Sequence, residues 1–188
     1  IFDRVPLAQT FESVANGETF TVLVNHYKSK GSCPTVAADP TNIDLGQGCW
    51  SAKRVLQAQA TLDFINTQLL PVDPDVLVIG DLNAYSNEDP ITTLESGGLV
   101  DQVEANVPFA ERYSYIFDGT SGYLDHMLST STVVAQVSDA AYWHINADEP
   151  TVIDFNTEFK NYGAETRYSP DLYQPNQFRS SDHDPVYI

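Results

Sequence analysis

The sequence predicts an α/β fold: a mixed, largely antiparallel sheet covered by helices. Three observations predict it. Two β-patterned segments flank a tight-turn dipeptide near the start; one long stretch carries a clear helical apolar period; and a short continuous apolar run follows that stretch, as in a strand buried on both faces. Strands and helices alternate, but without the regular βαβ rhythm of a nucleotide-binding fold. The chain has 188 residues, 42% of them hydrophobic and 11% aromatic. That suffices for one well-packed domain and is short for two. No repeat, low-complexity tract or linker interrupts it, so residues 1–188 read as one domain. No apolar run approaches the ~20 residues a membrane-spanning helix needs, so no membrane insertion is expected. The sequence opens at Ile1 without an initiator methionine or a signal peptide, as in a mature or trimmed piece or at a cloning boundary.

Residues 4–12 (RVPLAQTFE) and 19–26 (TFTVLVNH) flank Asn16-Gly17, a hairpin signal. In the second segment Phe20, Val22 and Val24 alternate with Thr21, Leu23 and Asn25, and His26 continues the Phe20–Val24 parity where that face ends. Val55, Ala58, Leu62, Ile65 and Leu69 recur at helical spacing, with Ser51 as the expected N-cap and Pro71 as the stop. VLVIGDLNAY then supplies the doubly buried strand, with Asp81 and Asn83 on one parity at its end. A short helix is expected from about Asp89 to Ser96, closed by Gly97-Gly98, and strands at Tyr113–Phe117 and Tyr123–Leu128 around DGTSG. Residues 148–178 read as a long irregular excursion, and the closing RSSDHDPVYI as the start of another strand.

The formal charge is −17, from 26 acidic and nine basic residues. Taken globally this opposes nucleic-acid binding and suits a protein working at high salt, where surface repulsion is screened. Lys28, Lys30, Lys53 and Arg54 lie close in sequence and could form a small basic rim on an acidic body. Cys33 and Cys49 flank a loop rich in Pro, Asp, Asn and Gly. In an extracellular protein they pair, and a disulfide is the expected state; in a cytosolic protein they would be two free buried thiols. Two cysteines alone cannot make a Cys-only zinc site.

Four segments end in side chains that make little sense as packing: Asn25-His26, GDLNA at 80–84, Leu124-Asp125-His126, and SDHDP at 181–185. Each adjoins an apolar strand, where a charge must be paired, metal-bound or at a cleft edge. Together they provide carboxylates, an amide and imidazoles, a set suited to phosphodiester hydrolysis with an oxygen-liganded divalent ion. Singly, each also has a plain reading: an Asx turn for Asp81 and Asn83, a structural histidine for His26, an exposed pair for Asp125 and His126. His144, in YWHIN, reads as structural.

The ordered set NH, GDLNAY, YLDHML and SDHDPV resembles the endonuclease/exonuclease/phosphatase family, which includes pancreatic-type deoxyribonuclease, apurinic-site endonucleases, sphingomyelinases and inositol-polyphosphate phosphatases. VNHYKSKGSC, GQGCW and GDLNAYSNEDPI are similar, more closely, to the large extracellular nucleases of aquatic bacteria. The resemblance implies a four-layer α/β sandwich of two mostly antiparallel sheets with helices outside, of which this chain would be the C-terminal portion. It implies that Asp81 orients the attacking water or contacts a metal, that Asn83 holds a phosphate oxygen, and that Asp125 hydrogen-bonds His183, the general base or phosphate ligand. Asp182 would bind the divalent ion, most simply Mg²⁺, with Mn²⁺ or Ca²⁺ as variants. His26 would be the general acid or a phosphate contact, and Lys28 and Lys30 would neutralise substrate phosphates.

The family's first half supplies an Asn and a metal-binding Glu, and nothing before Asp3 provides them; Glu12 and Glu18 lie in the wrong hairpin. The N-terminal half of the domain is therefore an expected partner, and the chain alone is expected to be catalytically incomplete. The function expected is a secreted metal-dependent nuclease acting on DNA, with RNA as a second substrate, at an extracellular or cell-surface location. The alternatives are a sphingomyelinase or inositol-phosphate phosphatase of the same fold, a non-catalytic binding or surface module, and a zinc hydrolase using His26, His126 and His183, which the Asp and Asn content disfavours.

Overall fold

A computed structural model describes residues 1–153 and 174–188. Strand β1 (Leu7–Glu12) starts after Pro6, which has no N–H to give a ladder, and pairs antiparallel with β2 (Thr19–Val24). The hairpin closes through the Ser13 N–H donating to the Glu18 carbonyl, around the expected Asn16-Gly17. After the cysteine loop comes α1 (Ser51–Phe64), continued by a π-helical turn, Ile65–Leu69, to Leu70 beside the expected Pro71 stop. Ser51 is not the cap. Trp50 takes that position in a left-handed conformation with no side-chain bond, and the Ser51 hydroxyl donates to Gln47 Oε1 instead. Then follow β3 (Val76–Asp81), α2 (Asp89–Ser96), β4 (Val100–Asp101) and α3 (Gln102–Asn106).

The strands expected at Tyr113–Phe117 and Tyr123–Leu128 are both present, each starting two residues later, but they do not pair with each other. Asp118 and Gly119 both have positive φ, the signature of a two-residue hairpin turn, so β5 (Tyr115–Phe117) folds back at once on β6 (Thr120–Gly122). The chain then enters the main sheet as β7 (Asp125–Ser129), followed by α4 (Ser131–Val134). Strands β8 (Ala141–Tyr142) and β9 (Val186–Tyr187) pair as a small ribbon, so SDHDPVYI does end in a strand. Within the expected 148–178 excursion, Thr151–Ile153 forms a 3₁₀ turn; residues 154–173 of it lie outside the described residues.

The main sheet has the order β1-β2-β3-β7-β4, with only β2 and β3 parallel. That pair is joined by a crossover through the cysteine loop and α1. Leu23, Val76, Val78 and Leu128 point to the helix side, where Ala58 of α1, Ile65 of the π-helical turn and Ile91 and Leu94 of α2 complete a buried apolar core. The other face is unevenly covered. Near β7, Met127 is buried against Val103, Val107 and Tyr142. Toward β1 and β2 the face is open: Leu7, Phe11, Phe20 and Val24 are 64%, 47%, 37% and 40% exposed. Consequently β3 is not buried on both faces as its apolar run suggested; Val76 and Val78 are buried, whereas Leu77 and Ile79 are half-buried.

Helix α1 also buries a polar stripe. Arg54 donates to the carbonyls of Lys28, Gln47 and Cys49, Gln57 Oε1 accepts the Lys28 N–H, and Thr61 bonds the buried Tyr27 hydroxyl. These bonds pin the chain leaving β2 and the cysteine loop to the helix. They also remove Arg54 from the expected basic rim.

Cys33 and Cys49 form a disulfide, with Cα atoms 5.3 Å apart, closing a loop of 16-residue separation. Closing such a loop restricts the unfolded chain and stabilises the fold by about 3 kcal/mol. Reduction is expected to lower the unfolding free energy by that amount, read from denaturant melts with and without dithiothreitol. Two thiols alkylatable in the unreduced, denatured protein would contradict the assignment.

Candidate active site

The ladder itself builds the site. Asp81, the last residue of β3, is the register partner of Asp125, the first of β7, so the two carboxylates leave one face at one level. Parallel pairing continues past β2: the Asn25 N–H donates to Ile79 O and the Tyr27 N–H to Asp81 O. His26 is thereby carried to the same edge, with Nε2 3.2 Å from Asp81 Oδ2. Gly80 makes the close approach possible. It has φ +124°, and a Cβ there would lie 2.0 Å from the Asn25 carbonyl oxygen.

Asp81 Oδ1 accepts the Asn83 N–H at 2.8 Å and Oδ2 accepts Asn83 Nδ2 at 3.0 Å. Both the Asx turn and the convergence on one site are thus present. Asn83 Nδ2 also donates to Tyr27 O, so both amide hydrogens are committed, and a phosphate contact would require exchanging one of them.

The opposite carboxylate is set for a histidine. Asp125 Oδ2 lies 2.6 Å from His183 Nδ1 and accepts the Ser114 hydroxyl at 2.6 Å. Burial alone would lower the pKa of His183, but the hydrogen bond and charge of Asp125, with the charges of Asp81 and Asp182, outweigh it and hold the ring above its ordinary value. The ring of Tyr115 sits over the imidazole at 4.5 Å between centroids.

His26, Asp81, Asn83, Asp125, Asp182 and His183 all line one cleft of about 1050 Å³, as the sequence order implied. Asp182 is exposed at its edge. The lysines differ from the expectation of free phosphate contacts. Lys30 lines the cleft but is paired to Glu88 at 2.5 Å and donates to Gln47 O. Lys28 is not among the lining residues; its ammonium lies over the Trp50 ring and 3.9 Å from Asp3. His126 faces away from Asp125 because neighbours on a strand alternate. It is fully buried against Asp101 Oδ2 and the Ala84 carbonyl, which removes it from any zinc trio with His26 and His183.

Several supporting residues escaped the sequence reading. Ser114 is fully buried; its hydroxyl also accepts the Leu124 and Asp125 N–H groups, and its carbonyl accepts the Asp184 N–H. Asp184 is buried, taking three backbone N–H groups from Ile145, Asn146 and Ala147 and facing His144 Nδ1 at 2.9 Å, so His144 is structural as expected. Asn146 Nδ2 donates to the His183 carbonyl and holds the SDHDP loop in place. Only Asp184 carried a sequence signal, as the second acid of SDHDP; Ser114 and Asn146 carried none.

Ligand atoms of Asp81, Asp125 and His183 lie within 4.8 Å of one another, a set able to hold a cation. His183 Nδ1 and Asp125 Oδ2 already face each other, and hard divalent ions prefer oxygen, so the carboxylates of this set fit such an ion better than the imidazole does.

Among solved structures, the human nocturnin catalytic domain with bound sulfate is similar at 18% identity and a TM-score of 0.48, covering 67% of this chain and 41% of that one. The mannosyl-6-phosphatase of Bacteroides thetaiotaomicron is similar at 15% identity and 0.49, covering 75% and 47%. TDP2 of D. rerio complexed with single-strand DNA product is similar at 17% and 0.42, covering 69% and 47%. The chain spans less than half the length of these structures. No curated protein matches it in sequence. The sequence profile of the Endonuclease/Exonuclease/phosphatase family matches residues 18–183, a span that contains every residue of the cleft from His26 to His183. The chain belongs to the endonuclease/exonuclease/phosphatase family, whose members are hydrolytic enzymes acting on phosphate esters.

Proposed function

We propose that this chain is the C-terminal portion of a secreted, metal-dependent phosphodiesterase that hydrolyses DNA, with RNA open to the same chemistry. One observation carries the reading: a paired Asp125–His183 facing Asp81 and His26 across a single cleft. His183, its Nδ1 held by Asp125, acts through its other ring nitrogen as general base or phosphate ligand; His26 at the edge donates a proton to the leaving oxygen. Asp81 and Asp182 hold the divalent ion, Mg²⁺ in the simplest case, and its chemistry when bound is charge stabilisation at the phosphate. The disulfide supports an extracellular location.

The open apolar face of β1 and β2 supports a partner layer: the N-terminal half of the same domain, packed on Leu7, Phe11, Phe20 and Val24 and bringing a metal-binding Glu. An ion of the Mg²⁺ type usually needs more than one well-placed carboxylate. The 188-residue chain alone is therefore expected to show little or no nuclease activity, and an upstream-extended chain to be active. Plasmid DNA, single-stranded DNA, sphingomyelin and an inositol polyphosphate, each with excess Mg²⁺ or Mn²⁺, are the substrates for both forms. Equal activity in the two forms would mean that the site is complete in these residues. Activity on the lipid or inositol phosphate alone would replace the nuclease reading, and none on any substrate would leave a binding module.

A further inference from the structure

One part of the cleft wall has no role in the chemistry above. Strand β5 carries Tyr115 and Phe117 on one face, their rings 6.4 Å apart and 17° from parallel. Across the ladder Tyr115 faces Gly122, and a Cβ on Gly122 would sit 2.7 Å from Tyr85 Cε1, so the glycine leaves room for a third ring beside the other two. Tyr85, Tyr115 and Phe117 all line the cleft, and Tyr115 covers the His183 imidazole. Phe117 is 65% exposed beside a polar turn, Asp118-Gly119-Thr120. A large ring left in water at the mouth of a reactive cleft, in line with a second ring over the catalytic histidine, is a surface built to receive a flat ligand.

Charge narrows what that ligand is. Among the described residues, Lys30 is the only lysine or arginine lining the cleft, and Glu88 neutralises it. Long duplex DNA is held mainly by cations along its phosphates, and this cleft offers no such row. A single strand can instead be held by its bases, since every base has a face to stack.

We propose that Tyr115 and Phe117 form a stacking platform for an unpaired nucleobase flanking the reactive phosphate, so that the substrate is single-stranded. This rests on the phosphodiesterase reading only for where the phosphate lies. A lone Phe at a polar turn gives little to insert into a bilayer, so a lipid is the disfavoured occupant.

The test is binding by the full chain in EDTA, so that no strand is cut. The probes are fluorescein-labelled dT8, an abasic phosphodiester octamer, the paired form of dT8, and sphingomyelin vesicles. The dT8 strand is expected to bind about 5- to 150-fold more tightly than the abasic octamer, the scale of one or two stacked bases. Phe117→Ala should remove most of that preference and Phe117→Trp should restore it, with thermal stability unchanged because the ring is exposed. The paired octamer should gain nothing over the abasic one. Equal or undetectable binding of dT8 and the abasic octamer, a preference that survives in Phe117→Ala, or Phe117-dependent binding to vesicles alone would each overturn the proposal. A separate hydrolysis assay of the upstream-extended form with Mg²⁺ distinguishes the two readings: a stacking preference without cleavage by that form sinks the hydrolytic reading and not this one, whereas cleavage that ignores the bases does the reverse.

Discussion

Gly80→Ala is expected to lower the unfolding free energy by at least about 3 kcal/mol and to abolish activity in any form of the protein that has it. Two costs combine. The native φ of +124° is one that side-chain-bearing residues rarely adopt, and the new Cβ would lie 2.0 Å from the Asn25 carbonyl oxygen. That oxygen is backbone, so relief requires prising the end of β2 away from β3. The next residue is Asp81, whose carbonyl accepts the Tyr27 N–H, so the same displacement separates His26 from Asp81. Denaturant midpoints check the stability and phosphodiester hydrolysis checks the site. Gly98→Ala is the control, with φ +98° and open space around the glycine; it should cost only the backbone strain of a side chain at positive φ, about 1–2 kcal/mol. A Gly80→Ala protein as stable as Gly98→Ala would show that the strands tolerate the spread.

The second large effect is on rate alone. In the upstream-extended, active form, Asp125→Asn is expected to reduce kcat by about 10²- to 10⁴-fold while changing the melting temperature little. The carboxylate holds His183 Nδ1 as the donor, which leaves the other nitrogen as the working one, and supplies the negative charge that favours a protonated ring. An amide has nearly the same shape and can still accept the Ser114 hydroxyl, so packing survives. It cannot stabilise the charged ring, and in its other flip, where the Ser114 hydroxyl turns to accept instead, it presents an N–H that forces the wrong tautomer. Loss of the downfield imidazole N–H resonance should accompany the rate loss. A kcat within a few-fold of the parent would show that the pair does not serve catalysis.

The sequence was most legible where one residue type has one physical meaning. Asn16-Gly17 marked the hairpin, the helical period marked α1, and each of the four polar segments ending an apolar strand put at least one side chain in the cleft, although Asn25, His126 and Asp184 do not line it. It was least legible where a second layer or a distant partner decides. The run VLVIG looks the same whether one face or two is covered, so Leu77 and Ile79 were misread as fully buried. Lys28 and Lys30 looked like phosphate contacts because their partners, Asp3, Trp50 and Glu88, lie far off in sequence or across a loop. Arg54 sits on an exposed-looking helix position, yet three carbonyls of the cysteine loop and of Lys28 draw it inside. Ser114 and Asn146 could not be seen at all, since a small polar residue in an aromatic stretch has no distinctive spacing.

The two sides of the cleft owe their rigidity to different bonds. Its floor, Asp81 and Asp125, is a register pair inside a five-stranded sheet and can move only if the ladder breaks. Part of its wall is the segment between Cys33 and Cys49, which contains no helix or strand and lines the cleft with Cys33, Gly46, Gly48 and Cys49. That wall keeps its shape through a sulfur–sulfur bond and the carbonyls that Arg54 gathers. Two electrons delivered by a thiol would slacken the wall and leave the floor standing.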